Sequence, residues 1–135
     1  MDIALKIMES FLKEYGNESN YLETEGRVLT KEETEQVFTD YIEKLEFENL
    51  ISLNFSENLV APTSVTHDSK NSKSKINIRL PIEYREGRIQ GVLNHEIGTH
   101  FIRKLNDRKQ KWYGKKDKYD IKGCLVTEEG FASLN

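Results

Sequence analysis

A chain of 135 residues has room for one domain, and 36% hydrophobic with 32% charged residues provides a modest core without the composition of a disordered chain. No apolar run approaches the roughly 18–20 residues that span a bilayer, Met1-Asp2-Ile3 is not a basic start to an apolar leader, and the one cysteine, Cys124, rules out an internal disulfide and fits a reducing, cytoplasmic compartment. The net charge of −3 is divided unevenly, with 14 acids against 5 bases over residues 1–60 and 9 acids against 15 bases over 61–135.

In chain order, Ala4, Ile7, Met8, Phe11, Leu12 and Tyr15 recur at three- and four-residue spacing, which predicts an amphipathic helix over 2–15 stopped by Gly16. Residues 17–29 are polar and read as turns. Thr30 precedes Glu33 by three, the pattern of a capping box, and Val37, Phe38, Tyr41, Ile42 and Leu45 continue a second helical stripe. Both stripes are expected to pack into the domain's own core. From Ile51 the period becomes two: Ile51, Leu53 and Phe55, then Ile76, Ile78 and Leu80, predict half-buried strands. Between them Val60-Ala61-Pro62 suggests a further short strand, and the tract 68–75 reads as a mobile loop. Past Pro81 a long helix is expected from about Glu83 to Leu105, then a basic loop, then a last helix beginning near Thr127, capped by that residue. Helices and strands segregated in this way predict an α+β fold, with residues 1–50 as a helical region and 51–135 as the core that carries the chemistry.

The basic loop, 103–122, holds nine Arg/Lys against three Asp. Such a stretch concentrates acidic partners, among which an acidic peptide tail, phosphates and, least favoured, nucleic acid all qualify. A solvated lysine-rich surface is the plainer alternative.

Two of the three histidines fall in His95-Glu96-Ile97-Gly98-Thr99-His100. In the HExxH of zinc metalloproteases the histidines stand one helical turn apart and the Glu acts as general base. Here one residue more separates them, and in an ideal α-helix residues five apart lie roughly 140° apart around the axis. HExxxH therefore forms a ligand pair only where the turn widens locally to a π-type turn, which Gly98 is placed to tolerate. A tetrahedral catalytic zinc also needs a third protein ligand. Thr127-Glu128-Glu129-Gly130-Phe131-Ala132 resembles the third-ligand motif of gluzincin metallopeptidases, with Glu129 as the ligand and Glu128 as the neighbour that takes its place if the register shifts. Cys124, five residues before Glu129, reads as a buried structural cysteine.

The run Leu93 to Arg103, then Asn106, Trp112 and Thr127 to Leu134, resembles the microtubule-associated tyrosine carboxypeptidase family, whose pattern is HEIGTH, an Arg and an Asn, then TEEGLA. HEIGTH is matched letter for letter, and Phe131 replaces the Leu of TEEGLA. The resemblance is close over about 85–135. It implies one zinc ion held by His95, His100 and Glu129, with Glu96 activating water, and removal of the C-terminal tyrosine from α-tubulin. It also implies microtubules as partner, a cytoskeletal location with the ciliary axoneme as one candidate site, and a core that continues past residue 135, so that the chain is expected to be truncated at its C-terminus. A carboxypeptidase must bind the free carboxylate of its substrate, for which Arg103 and Arg79 are the candidates, since a guanidinium holds a carboxylate through two hydrogen bonds. An ion pair within the fold is the other reading of Arg103. The competing functional expectation is a non-catalytic microtubule- or cilium-associated structural protein of the same descent.

Overall fold

The computed structural model describes residues 2–68, 71–123 and 125–134, so Cys124 lies outside the described residues. The fold is α+β. Three helices, α1 (Asp2–Tyr15), α2 (Glu18–Thr24) and α3 (Lys31–Lys44), precede strands β1 (Ile51–Ser56), β2 (Thr63–His67) and β3 (Ser74–Arg79). A continuous helical rod follows, α4 (Ile89–Leu93), a π-helix (Asn94–Phe101) and α5 (Ile102–Arg108), and after a 3-10 turn at Lys116–Tyr119 comes α6 (Leu125–Ala132).

The sheet has the order β1-β3-β2, with β1 parallel and β2 antiparallel to the central β3. Register explains the core: Ile76 is flanked by Leu53 and Val65, and Ile78 by Phe55 and Thr63. Both isoleucines are fully buried, each contributing about 1.5–3 kcal/mol of apolar burial. Residue 77 faces the other side of the sheet, where Asn77 accepts from Asn54 Nδ2 at 3.0 Å. Phe38 and Ile42 of α3 and Leu93, Ile97 and Phe101 of the rod complete one core with the sheet, so the acidic first part of the chain and the later part share a single interior.

Several local expectations change. The polar stretch 17–29 contains α2, started by Asn17, whose side chain accepts from Asn20 N–H; without an apolar period this helix leaves no repeating signal. The capping box at Thr30 is present in full. The second of the three strands lies at Thr63–His67 rather than at Val60-Ala61-Pro62, and Ser74 and Lys75 of the expected loop belong to β3. The long helix begins at Ile89, because residues 84–87 are engaged elsewhere: Leu29 N–H donates to Tyr84 O (2.8 Å), Gly87 N–H to Glu25 O (2.8 Å), and Val28 bridges Arg85. A Cβ at Gly87 would stand 3.1 Å from Glu25 O, so a side chain there would push the two backbones apart by a few tenths of an ångström. Helix α6 begins at Leu125, two residues before the expected start, which places Thr127 inside it rather than at its cap. Helix α1 forms as expected but buries no residue, so its apolar stripe does not enter the core. Only Phe11 and Tyr15 of it are half-buried, against Tyr21 of α2.

Candidate metal centre

The histidine segment is the widened helix its spacing demands. Residues 94–101 run as a π-helix, and Ile102 N–H closes the end of it by donating to Ile97 O, five residues back. Residues five apart then stack on one face. The flanking turns hold this geometry. Tyr41 of α3 donates its hydroxyl hydrogen to Asn94 Oδ1 at 3.0 Å, and Thr99 Oγ1 donates to Asn94 O at 3.2 Å. Ile97 and Phe101 anchor the opposite face in the core. Tyr41 passes Gly98 at a distance that would leave its oxygen 3.4 Å from an added Cβ, an ordinary contact.

With that register, His95 Nε2 and His100 Nε2 approach to 3.2 Å. Each ring has a partner on its other nitrogen. His95 Nδ1 faces the carbonyl of Ala132 at 3.2 Å, and His100 Nδ1 faces Glu128 Oε1 at 2.8 Å. A carbonyl and a carboxylate accept, so both Nδ1 atoms are assigned as donors, and in the neutral ring the lone pair then sits on Nε2. Two lone pairs aimed at one point repel unless a cation lies between them. The edge of a tetrahedron around an ion bound at 2.0–2.1 Å is about 3.4 Å, close to the observed nitrogen separation. Glu129 Oε2 lies 3.7 Å from His100 Nε2, and one donor atom from each of His95, His100 and Glu129 falls within 4.8 Å of the others. Two imidazoles and a carboxylate on one side of a point fit a divalent metal ion.

Helix α6 thus delivers two adjacent carboxylates to different tasks. Glu129 turns toward the histidine nitrogens, while Glu128 bridges His100 and Arg103, with Arg103 Nη2 at 2.5 Å from Oε2. Burial raises the Glu128 carboxyl, but hydrogen bonds from His100 and Arg103 outweigh it and hold it below the usual range. Glu96 is half-buried; burial pushes its carboxyl up against the opposing influence of His95 and His100. It lies where two recesses meet. The larger, about 640 Å³, runs along α4 past His95 to Arg88 and is walled by Pro62, Tyr84 and Val92. The smaller, about 390 Å³, runs beside β2 and includes His67, Arg103 and Lys104. Burial and the charges of Lys104, Arg108 and Arg103 push the His67 imidazole down.

The structure brings His95, His100, Glu129 and Glu96 together. Arg103 stands at the smaller recess in its ion pair with Glu128, and its buried Nε has no hydrogen-bond partner among the described residues. Arg79 is occupied by Glu83 (2.7 Å) and by Val60 O (3.1 Å). Sequence reasoning did not assign the bridging role of Glu128, the clamp of Tyr41, or the position of Arg88. Of these only Arg88 left a readable trace, since it stands seven residues before His95 and so on the same helix face.

A family model described as "Microtubule-associated tyrosine carboxypeptidase" matches residues 1–133. The microtubule-associated tyrosine carboxypeptidase 1 of Mus musculus is 30% identical over 138 residues, covering 100% of this chain and 29% of the relative. The proteins of the same name from Rattus norvegicus and Homo sapiens are each 28% identical, over 100% and 98% of this chain and 29% and 28% of their own length. The chain therefore spans less than a third of these relatives.

Proposed function

Because the chain belongs to the microtubule-associated tyrosine carboxypeptidase family, we propose that it is the metal-binding portion of a zinc carboxypeptidase that releases the C-terminal tyrosine of α-tubulin tails on microtubules. The observation that carries this reading is that one donor atom from each of His95, His100 and Glu129 lies within 4.8 Å of the others. His95, His100 and Glu129 would hold one zinc ion, which supplies a Lewis acid for the scissile carbonyl and lowers the pKa of water. Glu96 is the general base: its carboxylate takes the proton of the attacking water and returns it to the leaving amine nitrogen. The lysine-rich stretch 103–122 suits an acidic tail, with Arg103 on the smaller recess and Arg79 at the end of β3 as further cationic groups.

The first test is the metal content of the chain purified without chelator, beside His95→Ala. The expected result is about one zinc per chain, lost in the variant. With the metal retained, Glu96→Gln is expected to abolish tyrosine release from a tubulin-tail peptide. A folded chain with no more zinc than His95→Ala would overturn the reading.

A further inference from the structure

We propose that Arg88 is the receptor for the free C-terminal carboxylate of the substrate, and that the larger recess between it and His95 holds the residue to be released. The inference rests on the peptidase reading above and adds the substrate subsite to it.

Position comes first. Arg88 precedes α4, and His95 follows seven residues later on the same face, about 10 Å along the axis. The carboxylate of a terminal residue lies one residue, about 3.8 Å, beyond the scissile bond. The Arg88 guanidinium rests beside Tyr21 and Glu25, and a side chain of that length spans the difference when it swings toward His95. Arg88 stands at the end of that recess where segments 25–29 and 84–87 pair, and among the described residues it is the one Arg or Lys in the lining.

Availability comes second. The other arginines near the site are firmly held, Arg103 by Glu128 at 2.5 Å and Arg79 by Glu83 at 2.7 Å. Arg88 is 62% exposed and touches Glu25 Oε1 and the Tyr21 hydroxyl only at 3.4 Å each. Glu25 has a much better partner in that same hydroxyl, which donates to it at 2.6 Å. The Glu25 carboxylate therefore sits as a loose counter-ion that an incoming carboxylate replaces, while Tyr21 keeps Glu25 satisfied. A bidentate guanidinium–carboxylate pair is a strong and directional contact.

The lining between the two ends suits an aromatic side chain. Gly87 and Gly91 expose backbone with no side chain in the way, and Pro62, Val92 and Tyr84 supply apolar walls. An amide or an extended chain at Arg88 lacks the charge that the guanidinium selects, so the same contact distinguishes an exopeptidase from an endopeptidase.

The test is binding rather than turnover. On the Glu96→Gln background, a fluorescent tubulin-tail peptide ending in tyrosine is titrated as the free acid and as the C-terminal amide. The expected result is about tenfold tighter binding of the acid, a preference erased by Arg88→Ala, partly kept by Arg88→Lys, and increased by Glu25→Gln. Equal acid and amide affinities in the parent, or an unchanged preference in Arg88→Ala, overturn the proposal while leaving the peptidase reading in place. Failure of the zinc-loaded chain to bind either peptide sinks the peptidase reading itself.

Discussion

The carboxylate of Glu128 accepts from His100 Nδ1 with one oxygen and from Arg103 with the other, and only 9% of its side chain is exposed. The first bond fixes which nitrogen of His100 carries the proton and which way the ring faces. The second holds the carboxylate still while it does so. Partners of this kind, one bond removed from an ion, typically change metal affinity by about 10–100-fold when lost. Glu128→Ala is accordingly expected to weaken zinc affinity by about that factor in chelator competition, with the fold retained by circular dichroism. Glu128→Gln keeps an oxygen for His100 but loses the ion pair with Arg103, so it should fall between the two. An unchanged affinity in Glu128→Ala would remove the positioning role. Glu129→Ala, which deletes a donor atom, is the harsher reference.

At the scale of the element, the start of α3 is both readable and pH-sensitive. Thr30 accepts from Glu33 N–H at 3.1 Å, and Glu33 accepts from Thr30 N–H and from Arg27 at 2.8 Å. The Arg27 hydrogen bond, with that of the Thr30 backbone, lowers the Glu33 carboxyl from 4.5 to about 2. A carboxyl depressed in the folded state stabilises above its unfolded pKa and loses that contribution as pH falls. Glu33→Gln should therefore melt below the parent at neutral pH, and the gap should close between pH 4.5 and pH 2. A gap independent of pH would mean that the cap does not depend on the charge.

Which elements the sequence announces follows from where their determinants lie. The capping box, the Ile76 and Ile78 alternation, and the HExxxH spacing are local patterns, and the structure realises each, including the π-helix that the five-residue spacing requires. Strand β2 is different: Thr-Ser-Val-Thr-His has one aliphatic residue, and its place is set by pairing with β3. The start of the long helix was misplaced for a similar reason, since the backbone of 84–87 is taken by residues 25–29, almost sixty positions away. The site divides along the same line. The residue types, their spacing and the preference for Glu129 over Glu128 are legible in the motif, but the bonds of Glu128 to His100 and Arg103 depend on how α6 is rotated against the rod, which no linear pattern records.

For the molecule as a whole, the two N-terminal stripes are alike in sequence and opposite in fate. Phe38 of α3 is fully buried, whereas Ile3 and Ile7 of α1 are 77% and 63% exposed. Phe38→Ala should cost about 3–5 kcal/mol in urea denaturation. Ile3→Ser with Ile7→Ser, on a face that packs against nothing in the core, should shift stability by no more than about 1 kcal/mol. Comparable losses in the two variants would show that α1 is part of the cooperative core.

Helix α6 has a further consequence. Of its residues only Ala132 is buried, while Val126 and Phe131 lie largely in solvent. Among its ties to the rod are the bonds to His95, His100 and Arg103. Those same histidines belong to the candidate site, so opening the site and lifting the helix are coupled. Escape of whatever the site holds is then coupled to how readily this last helix lifts away, and the candidate metal site doubles as a latch on α6.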